Sequence, residues 1–430
     1  MDLKKERKMK KLFKALVLVL VAFMLVACSG NGGGGNDKPA EKTQVVFWHT
    51  LTDHDEEMVQ EIVEKFNASQ DQYEVVQLTQ PLEGFEAKVY EAVTNGTGPS
   101  LVWLYPGTAT EYVDEGFSLD FGQYLTDAEY KNRVSEGVYA ASTDYSDGKL
   151  HALVCTLTGS IMFYNKELLE KYNQTIPTTW QELYDMCKVI VDGEKAEGND
   201  IIGFGPDSVD VVGIDVLYQL GLAYIDDNNT ANDWTNEKFV EWIDWWKNAE
   251  AEGYFKLVDD AGYHSGPFGN VQYVCYMGSS AGMNYITPNG FTIVTGPVPQ
   301  IEGGRKYNEL TARALVGFAK DETTDAGAAA FASFFTQAEN NLPFCQKYSA
   351  STPFKDVETS DVYKEYFNGS VAQQAFASML DYMYARKAVV GQTACKEAIM
   401  QALRTAIIAG EDTLTALTSA QAQANAALSQ

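Results

Sequence analysis

The chain has 430 residues, of which 59 are acidic and 32 basic, for a formal net charge of −27. Hydrophobic residues at 45% and aromatics at 12% exclude a disordered chain. The acidity excludes a nucleic-acid binder, which needs clustered Lys and Arg. A single hydrophobic core stops growing near about 250–300 residues, so about two lobes are expected.

The charge is uneven along the chain. Residues 1–27 hold seven Lys or Arg and two acids, a net of +5, which leaves −32 on the remaining 403. The basic run from Lys4 to Lys14 passes into an apolar stretch ending Leu25-Val26-Ala27-Cys28. A basic region, a short apolar region and a small residue before a break make a secretory signal peptide. The ending resembles the bacterial lipobox, which implies cleavage after residue 27 and lipidation of Cys28, with palmitate as one expected acyl chain. Ser29, Gly30, Asn31 and Gly32 to Gly35 then begin a flexible linker over 28–43. The place expected is the outer face of a cell membrane, that of a Gram-positive bacterium. No later segment reaches the roughly 18 apolar residues of a spanning helix.

The body opens with Val45-Val46-Phe47-Trp48, an apolar run typical of a buried strand. Met58, Val59, Ile62, Val63 and Phe66 recur at helical spacing, with Asp53 or Asp55 as the expected N-cap. Tyr73–Leu78 reads as a second strand and Phe85, Val89 and Val93 as a second helix, stopped by Gly96. Ser100–Leu104 is a third strand, and Thr108 with Glu111 forms a capping box for a third helix. This alternation predicts a parallel α/β sheet.

The same pattern resumes with strands at 149–154 and 160–164. Thr179 and Glu182 form a second capping box. Residues 209–222 and 236–250 read as helices, the second with Phe239, Trp242, Ile243 and Trp246 on one face. Phe291–Thr295 and Ala314–Ala319 read as strands. From about residue 324 the chain reads as nearly all helix.

Several motifs fail on inspection. Gly278-Ser279-Ser280-Ala281-Gly282 fits a nucleophile elbow, but His49, His54, His151 and His264 all precede it, so no histidine base follows. His49 and His54 have no third histidine near them for zinc. Asp226, Asn228, Thr230 and Glu237 fall at EF-hand-like positions, but Ala231 replaces the turn glycine, so a polar loop capping the helix from Asn236 is expected. No phosphate-binding glycine motif occurs. No cofactor and no metal site is expected. Cys155, Cys187, Cys275, Cys345 and Cys395 are widely spaced and odd in number, which favours buried free thiols and leaves one long-range disulfide open.

Aromatics are the positive signal. Trp48, Phe85, Tyr105 and Trp234 stand at strand ends, in loops or beside helix starts, where a flat ring can cover the apolar face of a sugar. Packing is the competing role at each.

Three stretches are the most specific: Asp147-Gly148-Lys149-Leu150-His151, Phe163-Tyr164-Asn165-Lys166-Glu167-Leu168 and Pro177-Thr178-Thr179-Trp180. With Phe47-Trp48-His49, Asn95–Val102, Gly296-Pro297-Val298-Pro299 and Ser351-Thr352-Pro353-Phe354, they resemble the extracellular solute-binding proteins of bacterial ABC importers. The resemblance is to the carbohydrate-type group that includes maltose-binding and glycerol-3-phosphate-binding proteins. It implies a two-lobe periplasmic-binding-protein-like α/β fold, with a ligand cleft between lobes and several hinge crossings. The N-lobe is expected over 44–157 and about 300–340, and the C-lobe over 158–299 and about 341–430.

The resemblance further implies a set of ligand-binding positions. Trp48, His49 and Thr50 follow the first strand, and Glu83 and Phe85 start the second helix. Tyr105, Gly107 and Thr108 follow the third strand. Thr158 and Gly159 lie at the first crossing, and Ser279, Ser280, Arg313 and Ser351 complete the set. Trp234 is added as an aromatic. The glycerol-phosphate branch's late Arg has no counterpart near Val390, although Arg313, Arg386 and Lys387 could take an anion. Arg386 and Lys387 also suit a solvated helix surface. The implied function is capture of a carbohydrate, an oligosaccharide by preference, and delivery to membrane permease subunits, with no catalysis. Glycerol-3-phosphate or a glycerophosphodiester is the alternative ligand, and a surface glycan-active enzyme or a structural lipoprotein the alternative class.

Overall fold

The computed structural model describes residues 42–82, 84–257 and 263–429. The leader over 1–27, Cys28, the linker as far as residue 41, and Glu83 lie outside the described residues. In chain order the described strands are β1 (Thr43–His49), β2 (Tyr73–Thr79), β3 (Leu101–Leu104), β4 (Ala152–Thr158), β5 (Ser160–Asn165) and β6 (Ile202–Pro206), then β7 (Tyr273–Ser279), β8 (Ile293–Gly296), β9 (Asn308–Glu309), β10 (Thr311–Gly317) and β11 (Met383–Tyr384).

The first sheet has the order β2-β1-β3-β10-β4. In β1, Val45, Phe47 and His49 are buried on one face, the period of a pleated strand. The helix Asp53–Ser69 buries Val59, Ile62, Val63 and Phe66 against this sheet. Phe331 from the helix Glu322–Phe335 meets Phe47 at 5.8 Å and Phe66 at 5.3 Å between ring centroids. The helix Ala338–Tyr348 also packs on Asp53–Ser69.

The second sheet has the order β6-β7-β5-β8. Its core is aromatic. Trp180, Phe204, Trp246 and Phe255 make edge and tilted contacts at 4.9–6.2 Å. Thr179 caps the helix Trp180–Ala196 in a full capping box with Glu182, as the sequence predicts. Asn236 caps Glu237–Ala251, also as expected, and Asp226 accepts from Asn228 and Thr230 in the polar loop before it.

Three passages join the sheets. The first is Gly159 alone, between β4 and β5. The second runs from β8 through β9 into β10. The third leaves the first sheet at Ser351, which pairs with Leu157, and reaches Val371–Ala377, which packs on β5 and β8. β9 and β11 pair beside these passages.

Several expectations are corrected. Neither sheet is purely parallel: β10 runs antiparallel to β3 and β4, and β5 antiparallel to β7 and β8. Thr52, not Asp53 or Asp55, is the N-cap residue of the first helix, and Asp53 takes a positive φ of 54°. Thr108 does not cap: it ends a 3₁₀ turn, and its hydroxyl donates to the Tyr105 carbonyl at 2.7 Å. The chain beyond 324 is broken by β11 and by non-helical segments at 350–354 and 385–391. β6 and β7 were not anticipated. The five cysteines are all buried free thiols.

Candidate functional site

The two sheets turn one end each toward Gly159. β4 ends at Thr158 and β5 begins at Ser160, which pairs with Ser279 at the end of β7. Gly159 is enclosed. A Cβ there would lie 2.2 Å from Met383 Cε, 3.1 Å from the Glu309 carbonyl and 3.2 Å from a Phe376 ring carbon. Its own carbonyl accepts from the Ser280 amide at 2.8 Å. Three passages therefore meet around one glycine, and only a residue without a side chain fits.

On the first sheet's side, Tyr105 stands at the end of β3 and Arg313 near the start of β10. The Arg313 guanidinium lies 3.7 Å from the Tyr105 ring centroid, a close cation–π contact. The pairing of β10 with β4 shifts register between Arg313 and Ala314, an irregularity of the kind that re-aims a side chain. Among the described residues no carboxylate lies within 4.0 Å of Arg313. Tyr348 faces it. Trp48 is half-buried with Lys88 Nζ at 5.3 Å from its ring, and its indole nitrogen has no partner. Thr50 is half-buried beside them.

On the second sheet's side, Ser279 is exposed and accepts from the Ala281 amide. Ser280 is fully buried with its hydroxyl unpartnered. Asp207 follows β6 on the same edge, its amide donating to Met277 at 2.8 Å.

The two sides also touch directly. Tyr285 Oη donates to Asp55 Oδ2 at 3.2 Å, and Asn284 Nδ2 to the Lys347 carbonyl at 2.8 Å. Gln392 Nε2 donates to the Gly107 carbonyl at 3.0 Å. Burial pushes the Asp55 carboxyl up, against the pull of His54 beside it.

Other expected positions are occupied by the fold itself. His49 is fully buried, its Nε2 2.9 Å from Gln77 Oε1, and burial lowers its pKa, so the ring stays neutral. Phe85 is a core residue. Thr158 is buried, 3.5 Å from the Thr311 carbonyl. Ser351 spends its hydroxyl on Gln373 at 2.5 Å. Trp234 is corrected to packing. It is 0% exposed, stacks on Tyr224 at 5.5 Å and donates to the Tyr224 carbonyl at 2.8 Å.

Arg386 is likewise corrected: it is not a solvated surface residue. Its Nη2 lies 2.8 Å from Asp210 Oδ2 and contacts Glu309. Lys396 Nζ is 2.9 Å from the same Asp210 oxygen. Burial alone would raise Asp210, but Arg386 and Lys396 hold it well below the usual carboxylate range. Asp215 accepts from the Glu309 amide at 3.1 Å, and burial, with Glu309 nearby, pushes its carboxyl well up. Lys387 donates to the Asp226 carbonyl at 2.8 Å. These cations are committed within the protein.

Sequence reasoning missed Asp207, Tyr276, Tyr285 and Tyr348. Recognising β6 and β7 as strands would have placed Asp207 at a strand end and Tyr276 within β7. A separate depression of about 500 Å³ lies on the helix Gln392–Ile407, lined by residues such as Glu397, Gln401, Arg404 and Gln423, and none of the strand-end residues enters it. No helix of the described residues is long and apolar enough to cross a membrane.

The family described as bacterial extracellular solute-binding protein matches residues 61–368. The sn-glycerol-3-phosphate-binding periplasmic protein UgpB of Rhizobium meliloti is 22% identical over 325 residues, covering 69% of this chain and 72% of that protein. Among solved structures, the GacH receptor of Streptomyces glaucescens, studied unliganded and with acarbose, superposes with a TM-score of 0.78 at 17% identity over 91% of this chain and 99% of that one. UgpB from Mycobacterium tuberculosis in complex with glycerophosphocholine gives a TM-score of 0.76 at 16% identity, covering 90% and 99%. The fold is thus the two-lobe fold of periplasmic sugar-binding proteins.

Proposed function

The chain belongs to the bacterial extracellular solute-binding protein family, and on that premise we propose that it captures a neutral oligosaccharide and delivers it to an ABC permease. The ligand lies between the lobes, at the strand ends that meet around Gly159. Closure on solute and release to the permease make the working cycle, and no bond is made or broken. The N-lobe spans 44–157 and about 300–340, taking the helix to Tyr348 with it. The C-lobe spans 158–299 and the remainder. Cleavage of the leader and lipidation at Cys28 hold the body at the outer face of the membrane. One acyl chain anchors only marginally, so more than one is needed.

The observation that carries the choice of ligand is the fate of the cations. Arg386 and Lys396 are bound to Asp210, and Lys387 to a backbone carbonyl, which leaves Arg313 and, over the Trp48 ring, Lys88 as the cations near the strand ends. A phosphate group wants several charge-assisted donors. A sugar wants aromatic faces and mixed donors and acceptors, which Tyr105, Arg313, Ser279 and Asp207 supply. Glycerophosphodiesters are the second reading, favoured by Arg313 alone. Thermal melting with malto-, manno- and fructo-oligosaccharides and with glycerophosphocholine separates the two. A true ligand at 100 times its Kd stabilises by about 2.7 kcal/mol. Stabilisation by glycerophosphocholine and by no sugar would reverse the choice.

A further inference from the structure

Asp207 stands one residue beyond β6, on the edge where Ser160 pairs with Ser279. Its Oδ1 accepts from the His264 amide at 2.6 Å. Its Oδ2 lies 2.6 Å from where a Cβ on Gly278 would be, and a Tyr276 ring carbon lies 2.7 Å from the same point. The missing side chain of Gly278 therefore makes room for an acid and a phenol side by side. A Cβ on Gly282 would lie 3.7 Å from Tyr276 Oη. Tyr276 and Ser280 are both 0% exposed, and neither hydroxyl has a hydrogen-bond partner. Buried hydroxyls without partners are rare and costly unless a ligand or water completes them.

We infer that Asp207, Tyr276 and Ser280 form the polar pocket of the C-lobe wall, and that it takes the hydroxyl groups of an uncharged ligand. This rests on the proposed solute-binding function and adds Tyr276 and a charge rule to it. Among the described residues no Lys or Arg nitrogen lies within 4.0 Å of Asp207. Its carboxylate would repel a phosphate placed beside it. An acid without an ion partner on this wall, with Arg313 held between Tyr105 and Tyr348 on the other, suits a ligand with no net charge.

The pocket also confers pH dependence. Burial pushes Asp207 up to about 7, against the His264 amide, which favours the ionised form. The groups facing it are His264, at the start of Ser265–Gly269, and the Tyr276 phenol on β7. Asp210, three residues on, is committed to Arg386 and Lys396. With Oδ1 held by His264, Oδ2 is the acceptor for a ligand O–H, and the ionised form accepts better. Affinity for a neutral sugar therefore rises as pH rises through about 7.

The test uses the full chain in detergent, with maltotriose, mannotriose and sn-glycerol-3-phosphate as probes at pH 6 and pH 8. The expected result is a neutral sugar bound roughly 10-fold more tightly at pH 8, the ratio of ionised Asp207 at the two values. Asp207→Asn should abolish that difference, and Tyr276→Phe should weaken binding by up to about 10-fold without changing the pH profile. A sugar bound by wild type and Asp207→Asn with one pH profile would overturn this inference and leave the carbohydrate reading standing. Tight binding of glycerol-3-phosphate, with neither sugar bound, would overturn both.

Discussion

Asp215 is an acid placed where an acid should not ionise. It is 1% exposed, one carboxyl oxygen has no partner, and burial followed by the nearby Glu309 raises its pKa. A folded value above the unfolded one means stability that is full below about pH 4 and is lost as pH rises through the folded value. Asp215→Asn keeps an acceptor for the Glu309 amide and removes the charge. Urea unfolding should find the variant the more stable, by roughly 1–3 kcal/mol at pH 8 and by less at pH 5. An equal gap at both values would show that Asp215 does not carry the effect. Trp234 gives a second residue-level outcome. Trp234→Phe should cost about 1–3 kcal/mol of stability and leave sugar affinity unchanged within about twofold, since its ring packs on Tyr224.

Among the elements, the crossing at Gly159 has little room for a side chain. A Cβ would push against Met383 and against the backbone carbonyl of Glu309. Gly159→Ala should destabilise by about 1–3 kcal/mol in urea unfolding. Adding Met383→Ala should recover part of that loss, because one obstacle is a flexible side chain and the other is backbone. The sequence makes some elements plain and hides others. β1, β2 and the helix Asp53–Ser69 were legible because their apolar spacing matches their burial. β6 and β7 were not, because Gly203 and Gly205 interrupt one and Gly278 falls inside the other. The capping box at Thr179 formed and that at Thr108 did not, because a 3₁₀ turn places Thr108 over its own turn carbonyl. At the site, Arg313 and Tyr105 were legible through resemblance to a family. Their contact joins residues far apart in sequence, as does the Arg386–Asp210 pair, and no local pattern encodes either.

Across the whole molecule, the contacts between the two sides bear on closure. Tyr285 with Asp55, Asn284 with Lys347, and Gln392 with Gly107 bridge from one side to the other without occupying the strand ends. Tyr285→Phe combined with Gln392→Ala removes two of these bridges. The double variant should bind its sugar roughly 5–30-fold more weakly, from about 1 kcal/mol for each bond lost. Small-angle scattering should show a larger radius of gyration with ligand bound. Unchanged affinity and radius would mean that these bridges contribute nothing to closure.

The acidity that excluded nucleic acid is mostly a property of the surface. At the strand ends the first sheet's side carries Arg313 and the second sheet's side carries Asp207. The most direct measurement of the central claim is a crystal structure with the sugar that most stabilises the protein. The account predicts sugar density between the Tyr105–Arg313 pair and the Ser279–Ser280 edge, with hydroxyls at Asp207. Density in the depression on Gln392–Ile407, or a phosphate bound at Arg313 in place of a sugar, would contradict it.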